Sequence, residues 1–194
     1  MTDLFRFSFA LAYFVGLAFF VTLIVRFRAR RPMVEQRIGP LPPPPAFISW
    51  LIPPIILLTG IGDVSASWIP LRAVGVALGL YALVVMPWAA KVLGASYAPG
   101  PALLRDQLLV VAGPFRWVRH PIYSAVTGLW LGAALATLNW LLLLLWPLIT
   151  VGVLKQARAE EQLLRGKFGH RYDEYAAATG RLLPRFARSN VGAA

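Results

Sequence analysis

The chain has 194 residues, 58% of them hydrophobic and only 14% charged, with a mean hydropathy of +0.66. So low a charge density excludes an ordinary soluble domain of this size, whose surface must face water. The net charge of +11 does not point to nucleic acid, because the cations flank apolar runs and are not interleaved with base-stacking aromatics.

The first apolar run, Leu4 to Val25, ends in Arg26, Arg28, Arg30 and Arg31. It is too long for a signal peptide and lacks a basic leading region, so it reads as a retained first span. Gly39-Pro40 and the run Pro42 to Pro45 predict an extended connector. A second run, Ala46 to Gly62, is short and carries Pro53-Pro54, which predicts a kinked or tilted span. Asp63 to Ser67 forms a polar turn, and a third span follows from Ile69 to Leu93 with Pro87 inside it.

From Gly94 to Trp117 the chain is too polar to span, and Gly94, Pro99, Gly100, Pro101, Gly113 and Pro114 punctuate it. Pro121 to Thr137 predicts a fourth span. Thr137-Leu138-Asn139 is a tight turn into a fifth, which starts at Trp140 and continues as helix past Leu154 into the charged segment Lys155 to Lys167. The remainder is a basic amphipathic tail. The expected fold is thus all-α and integral to the membrane, with five transmembrane helices, a C-terminal helical hairpin and a cytoplasmic amphipathic tail. Residues 1–93 would form an N-terminal membrane region, and 94–194 a cofactor-binding and catalytic half.

Charge placement supports five spans. The connectors after spans one, three and five hold 17 of the 19 Lys and Arg residues, leaving Arg6 and Arg72 for the other side. Under the positive-inside rule this puts the N-terminus outside and the C-terminus in the cytoplasm, in the inner membrane if the source is bacterial. With no cysteine and only His120 and His170, disulfides, thiolate nucleophiles and the usual zinc sets are excluded, and no metal is expected.

Two polar groups fall at the cytoplasmic face: Gly113 to Tyr123 at the mouth of span four, and Lys155 to Glu161 at the exit of span five. The hairpin can bring them to one pocket, and polar residues beside hydrocarbon are candidate sites. A plainer reading is available for each. Arg119 and His120 could be a basic flank anchoring span four, and Glu160 and Glu161 a solvated helix face pairing with Lys155, Arg158 or Arg165. His170 reads as a surface residue, and Arg105 with Asp106 as a solvated loop pair.

Arg119-His120-Pro121-Ile122-Tyr123, a hydrophobic hairpin and then Glu160-Glu161 resemble the signature of the isoprenylcysteine carboxyl methyltransferases and their phospholipid-methyltransferase relatives. Leu109-Val110 through Gly113-Pro114-Phe115, and Phe168-Gly169, Tyr172, Tyr175 and Arg181 to Pro184, agree with the family's flanks, so the resemblance covers roughly Lys91 to Phe186. It implies an S-adenosylmethionine pocket open to the cytosol, yielding S-adenosylhomocysteine, and a lipophilic or small acceptor arriving from the bilayer. His120, Arg119, Glu160 and Glu161 would be the catalytic residues.

In that pocket Arg119 and His120 could hold the cofactor's carboxylate, while Glu160 and Glu161 could accept from its ammonium or ribose hydroxyls. Tyr123, Trp117, Phe115 or Tyr97 could pack on adenine or the sulfonium, with Gly113 shaping the loop. The chain departs from the family at three positions. Ala125 stands where a glycine is frequent, Gln156 where an arginine is common, and Tyr97 where a tryptophan is often seen. The acceptor could be a carboxylate, thiol or amine. An NADPH-dependent membrane reductase of lipids or sterols, with Arg116, Arg119 and Arg181 on phosphate, and a non-catalytic scaffold are the competing expectations.

Overall fold

The computed structural model describes residues 2–28, 34–37, 44–64, 67–97 and 101–185. The elements in chain order are α1 (Thr2–Arg28), β1 (Val34–Arg37), α2 (Pro44–Thr59), α3 (Ile69–Leu93), β2 (Ala102–Leu104), α4 (Pro121–Thr137), α5 (Trp140–Phe168) and α6 (His170–Ala178). A helix occupies each of the five segments expected from the apolar runs. α3 with its following turn, and α5, are long and apolar enough to cross a membrane, at 28 and 29 residues. α2 and α4 have only 16 and 17 residues, short of the roughly 20 that a perpendicular crossing needs.

Two expectations need correcting. Pro44 and Pro45 do not extend the connector but open α2; proline at a helix start sacrifices only an amide that has no intrahelical partner. Pro42, Pro43 and the tail beyond Arg185 lie outside the described residues. The fold is also not purely helical: β1 pairs antiparallel with β2, Val34 opposite Leu104 and Arg37 opposite Ala102. This ladder ties the connector after α1 to the one after α3, and the β2 residues Ala102 to Leu104 are buried.

The tightest packing joins α3 to α4, and glycine makes it possible. A Cβ on Gly75 would lie 2.2 Å from the Ala136 amide nitrogen, and one on Gly132 would lie 2.8 Å from the Gly75 carbonyl oxygen. Gly75 and Gly79, four apart on α3, face Gly132 and Ala136, four apart on α4. Where lipid tails are as apolar as leucine, such close backbone approach is a main source of helix association. Around this seam Tyr13, Leu57, Ala82, Met86, Leu129, Trp130 and Leu142 form the buried core. Val84 on α3, with Leu144 and Leu148 on α5, stays exposed, as suits a surface solvated by hydrocarbon.

The end of the bundle away from the charged connectors is closed by a polar latch. Leu138 adopts a left-handed conformation (φ 54°) that ends α4 and turns the chain into α5, as the expected tight turn required. Asn139 then caps α5, its Oδ1 accepting from the Leu142 amide at 2.9 Å. Its amide group donates to Asp63 Oδ1 at 2.7 Å and to the Ile61 carbonyl at 2.8 Å. Arg6 reaches the other Asp63 oxygen at 3.3 Å, and buried Arg72 donates to the Ala136 carbonyl at 2.7 Å. The two cations that the charge pattern assigned to this side are therefore turned inward onto the protein.

Candidate active site at the hairpin's open end

The site begins with a turn. Gly113–Arg116 forms a short 3-10 helix, after which residues 117–120 run beside the segment following α6. Arg119 N–H donates to the Gly180 carbonyl at 2.8 Å, His120 N–H to the Arg181 carbonyl at 3.1 Å, and Gly180 N–H to the Trp117 carbonyl at 3.2 Å. Gly180 permits the turn that the tail makes just after this pairing, since a Cβ there would sit 1.7 Å from the Leu183 carbonyl oxygen. His120 stands at the N-cap of α4, with Pro121 at the first helical position. Its backbone is thus fixed before any side-chain contact is considered.

α5 delivers two adjacent carboxylates to this point, and their surroundings differ. Glu161 is 1% exposed. It accepts from Arg119 Nε at 2.9 Å and from Arg181 Nε and Nη2 at 3.0 and 2.7 Å. His120 Nε2 is 3.4 Å from Glu161 Oε1, near enough for attraction between charges but not aligned as a hydrogen bond. Arg119 is further engaged, with Nη1 donating to the carbonyls of Ala176 and Thr179.

No arginine pairs with Glu160 among the described residues. Its partners are the Tyr123 hydroxyl, which donates to Oε1, and His120 Nδ1, 3.5 Å from Oε2. The His120 and Tyr123 rings stack at 5.5 Å with 16° between planes. Gln156, one turn before Glu160, and Tyr97 are both close enough to Tyr123 to act on it electrostatically. Burial alone would lower the His120 pKa, but the facing carboxylates of Glu160 and Glu161 outweigh it and raise the pKa above its ordinary value. The imidazole is therefore biased toward its charged form.

The hairpin thus joins Arg119, His120, Tyr123, Glu160 and Glu161 in one network, with Tyr97 reaching it through Tyr123. The solvated-face reading of the glutamate pair is excluded for Glu161, and Arg165 pairs with Asp173 at 3.0 Å, away from both glutamates. Phe115 is buried in the turn below the network, and its carbonyl accepts from the Tyr175 hydroxyl at 2.7 Å. Trp117 is exposed, packing edge-on against Trp88 at 6.0 Å and carrying the Arg116 guanidinium 4.2 Å above its ring. Exposed His170 pairs with Glu174. Arg105 and Asp106 are exposed in the connector, which Lys167 grips through the Leu104 and Arg105 carbonyls at 2.8 and 2.6 Å.

Thr179 was not among the expected site residues, and Arg181 was expected only as part of the family's flank and as a phosphate ligand in the competing reductase reading. Gly180-Arg181 after the paired Tyr172 and Tyr175 was the available signal, but its spacing gives no hint that the tail folds back onto residues 117–120. Tyr172 is fully buried, and its hydroxyl has no hydrogen-bond partner among the described residues. No group of three or more His, Asp or Glu side chains able to hold a metal occurs among the described residues.

The arrangement is that of a membrane-embedded methyltransferase fold. A solved eukaryotic intramembrane Ras methyltransferase, isoprenylcysteine carboxyl methyltransferase, superposes with a TM-score of 0.54 at 20% identity, covering 76% of this chain and 54% of that one. The chain therefore spans about half the length of that structure. The sequence profile of the phospholipid methyltransferase family matches residues 71–171, more than half of the chain, and the chain belongs to that family. None of the curated proteins is significantly similar to it.

Proposed function

We propose that the protein transfers a methyl group from S-adenosylmethionine to a lipophilic or small acceptor that arrives through the bilayer. The observation that carries this reading is the meeting of His120 and Tyr123 with Glu160 across the hairpin. There a carboxylate that no arginine reaches among the described residues borders a stacked aromatic pair, at the end of the helices that the charge pattern assigns to the cytosol. The chemistry of these groups fits the cofactor. Glu160 can accept from an ammonium or from ribose hydroxyls, and the His120–Tyr123 stack offers ring surface to adenine or to the sulfonium. Residues 94–194 would supply the pocket and residues 1–93 its membrane scaffold. The N-terminus would lie outside and the C-terminus in the cytoplasm.

When bound, the cofactor supplies an electrophilic methyl group. The protein's share is to align the acceptor with it and keep water away, an advantage of proximity and orientation. A carboxylate acceptor is already ionised near neutral pH and needs no base. An amine or thiol acceptor must lose a proton, and Glu160 and His120 are the groups placed to take it. Arg119 and Glu161, both engaged with the protein, hold His120 in position.

The test is calorimetric titration of the detergent-purified protein with S-adenosylhomocysteine and, separately, with NADPH, followed by labelled methyl transfer onto total lipid and small-molecule extracts. We expect binding of the first ligand only, lost in Glu160→Gln and His120→Ala while both variants remain folded. Binding of NADPH alone would move the protein to the reductases, and binding of neither would leave a scaffold.

A further inference from the structure

The charges of the site do not cancel where they stand. Arg119 and Arg181 both point at Glu161, so one carboxylate serves two guanidinium groups, and among the described residues Glu160 pairs only with His120 and Tyr123. One guanidinium is in surplus, and exposure shows which. A guanidinium has five N–H donors, and each of these two leaves one terminal nitrogen without a hydrogen bond among the described residues. Arg119 places its Nε on Glu161 and its Nη1 on two backbone carbonyls, its Nη2 is the nitrogen left over, and its side chain is only 10% exposed. Arg181 places Nε and Nη2 on Glu161, its Nη1 makes no hydrogen bond among the described residues, and its side chain is 32% exposed. The surplus charge therefore surfaces at Arg181.

We infer that Arg181, and not Arg119, contacts the anionic end of the bound nucleotide, receiving the amino-acid carboxylate of S-adenosylmethionine on Nη1 while its other edge stays on Glu161. This rests on the methyltransferase reading and adds to it a specificity-determining residue from the C-terminal tail. The geometry has a natural polarity. Arg181, Glu161, His120 and Glu160 follow one another in contact, so a cation and an arginine-free carboxylate stand at opposite ends of a short row. A zwitterion carrying a carboxylate and an ammonium matches such a row. The backbone bond from His120 N–H to the Arg181 carbonyl keeps the two ends in register, and a guanidinium can serve two carboxylates through different edges where an ammonium cannot keep both forks.

The experiment compares two ligands on three proteins: S-adenosylhomocysteine and its analogue lacking only the carboxylate, titrated into the wild type, Arg181→Gln and Arg181→Lys. The wild type should prefer S-adenosylhomocysteine by about tenfold to a hundredfold, the usual value of a charged hydrogen bond. Arg181→Gln should erase that preference by weakening S-adenosylhomocysteine alone, and Arg181→Lys should lie between. Equal weakening of both ligands in either variant would make Arg181 purely structural and overturn the inference, as would a wild type indifferent to the carboxylate. If Arg181→Gln does not fold, the lysine variant and the wild-type preference decide the matter by the same criteria. A wild type that binds neither ligand rejects the methyltransferase reading itself, a different result from indifference.

Discussion

The two ends of the helical bundle are built from the same kinds of polar group and reach different outcomes. At one end Asp63 has a donor on each oxygen, Asn139 on Oδ1 and Arg6 on Oδ2, and Asn139 also caps α5. At the other end Glu161 is surrounded by cations, and among the described residues no arginine reaches Glu160 and neither His120 Nε2 nor Tyr172 Oη makes a hydrogen bond. The first end holds the helices together; the second carries the groups that the proposed function assigns to the cofactor.

The neighbouring carboxylates give the sharpest way to break this comparison. Glu161→Ala leaves Arg119 and Arg181 facing each other without their anion, and removing one partner of a buried ion pair costs about 3–5 kcal/mol. We expect a large loss of folded protein in detergent, read by the thermal midpoint or by the yield of monodisperse material. Glu160→Gln keeps its shape and loses only a partly exposed charge, so the midpoint should hardly move while S-adenosylhomocysteine binding disappears. Equal destabilisation by the two substitutions would erase the distinction between them.

At the latch the expectation reverses. Asn139→Ala removes the α5 cap and leaves the Ile61 carbonyl and Asp63 Oδ1 without their donor, a loss of about 1–3 kcal/mol. Nucleotide affinity in the remaining folded protein should equal that of the wild type, because no ligand-facing group has changed. A fall in affinity that tracks the fall in stability would show that the two ends are coupled through α4.

How much of this was legible follows from the range of each interaction. α3 was readable to the residue and α4 likewise, because hydrophobic length and proline at a helix start are local signals. The meeting of His120 with Glu160 was readable from a hairpin whose two arms, Pro121–Thr137 and Trp140 to Glu160, are each roughly 20 residues long, so that its geometry is nearly forced. The β1–β2 pairing was not, since Val34–Arg37 and Ala102–Leu104 are four and three residues of unremarkable composition brought together by helices between them. The place of Arg181 beside Arg119 was equally hidden, because it depends on long-range backbone pairing of residues 117–120 with 180–181. The glycine spacing Gly75 to Gly79 was visible all along and marks the α3–α4 seam.

His120 supplies the smallest effect and the finest discrimination between carboxylate environments. Its pKa is raised in the folded protein by Glu160 and Glu161 against the opposing pull of burial. A group whose folded pKa exceeds its unfolded value near 6.5 stabilises the fold fully below that value. This contribution fades as pH rises through the raised folded pKa. Thermal midpoints of the wild type and His120→Gln, followed from pH 5.5 upward, should therefore be furthest apart at the acid end and converge as the imidazole loses its proton. In Glu160→Gln the convergence should begin at lower pH, because one of the two carboxylates holding the proton is gone. Parallel curves for wild type and His120→Gln would mean that the histidine is neutral throughout and that only its shape matters to the fold.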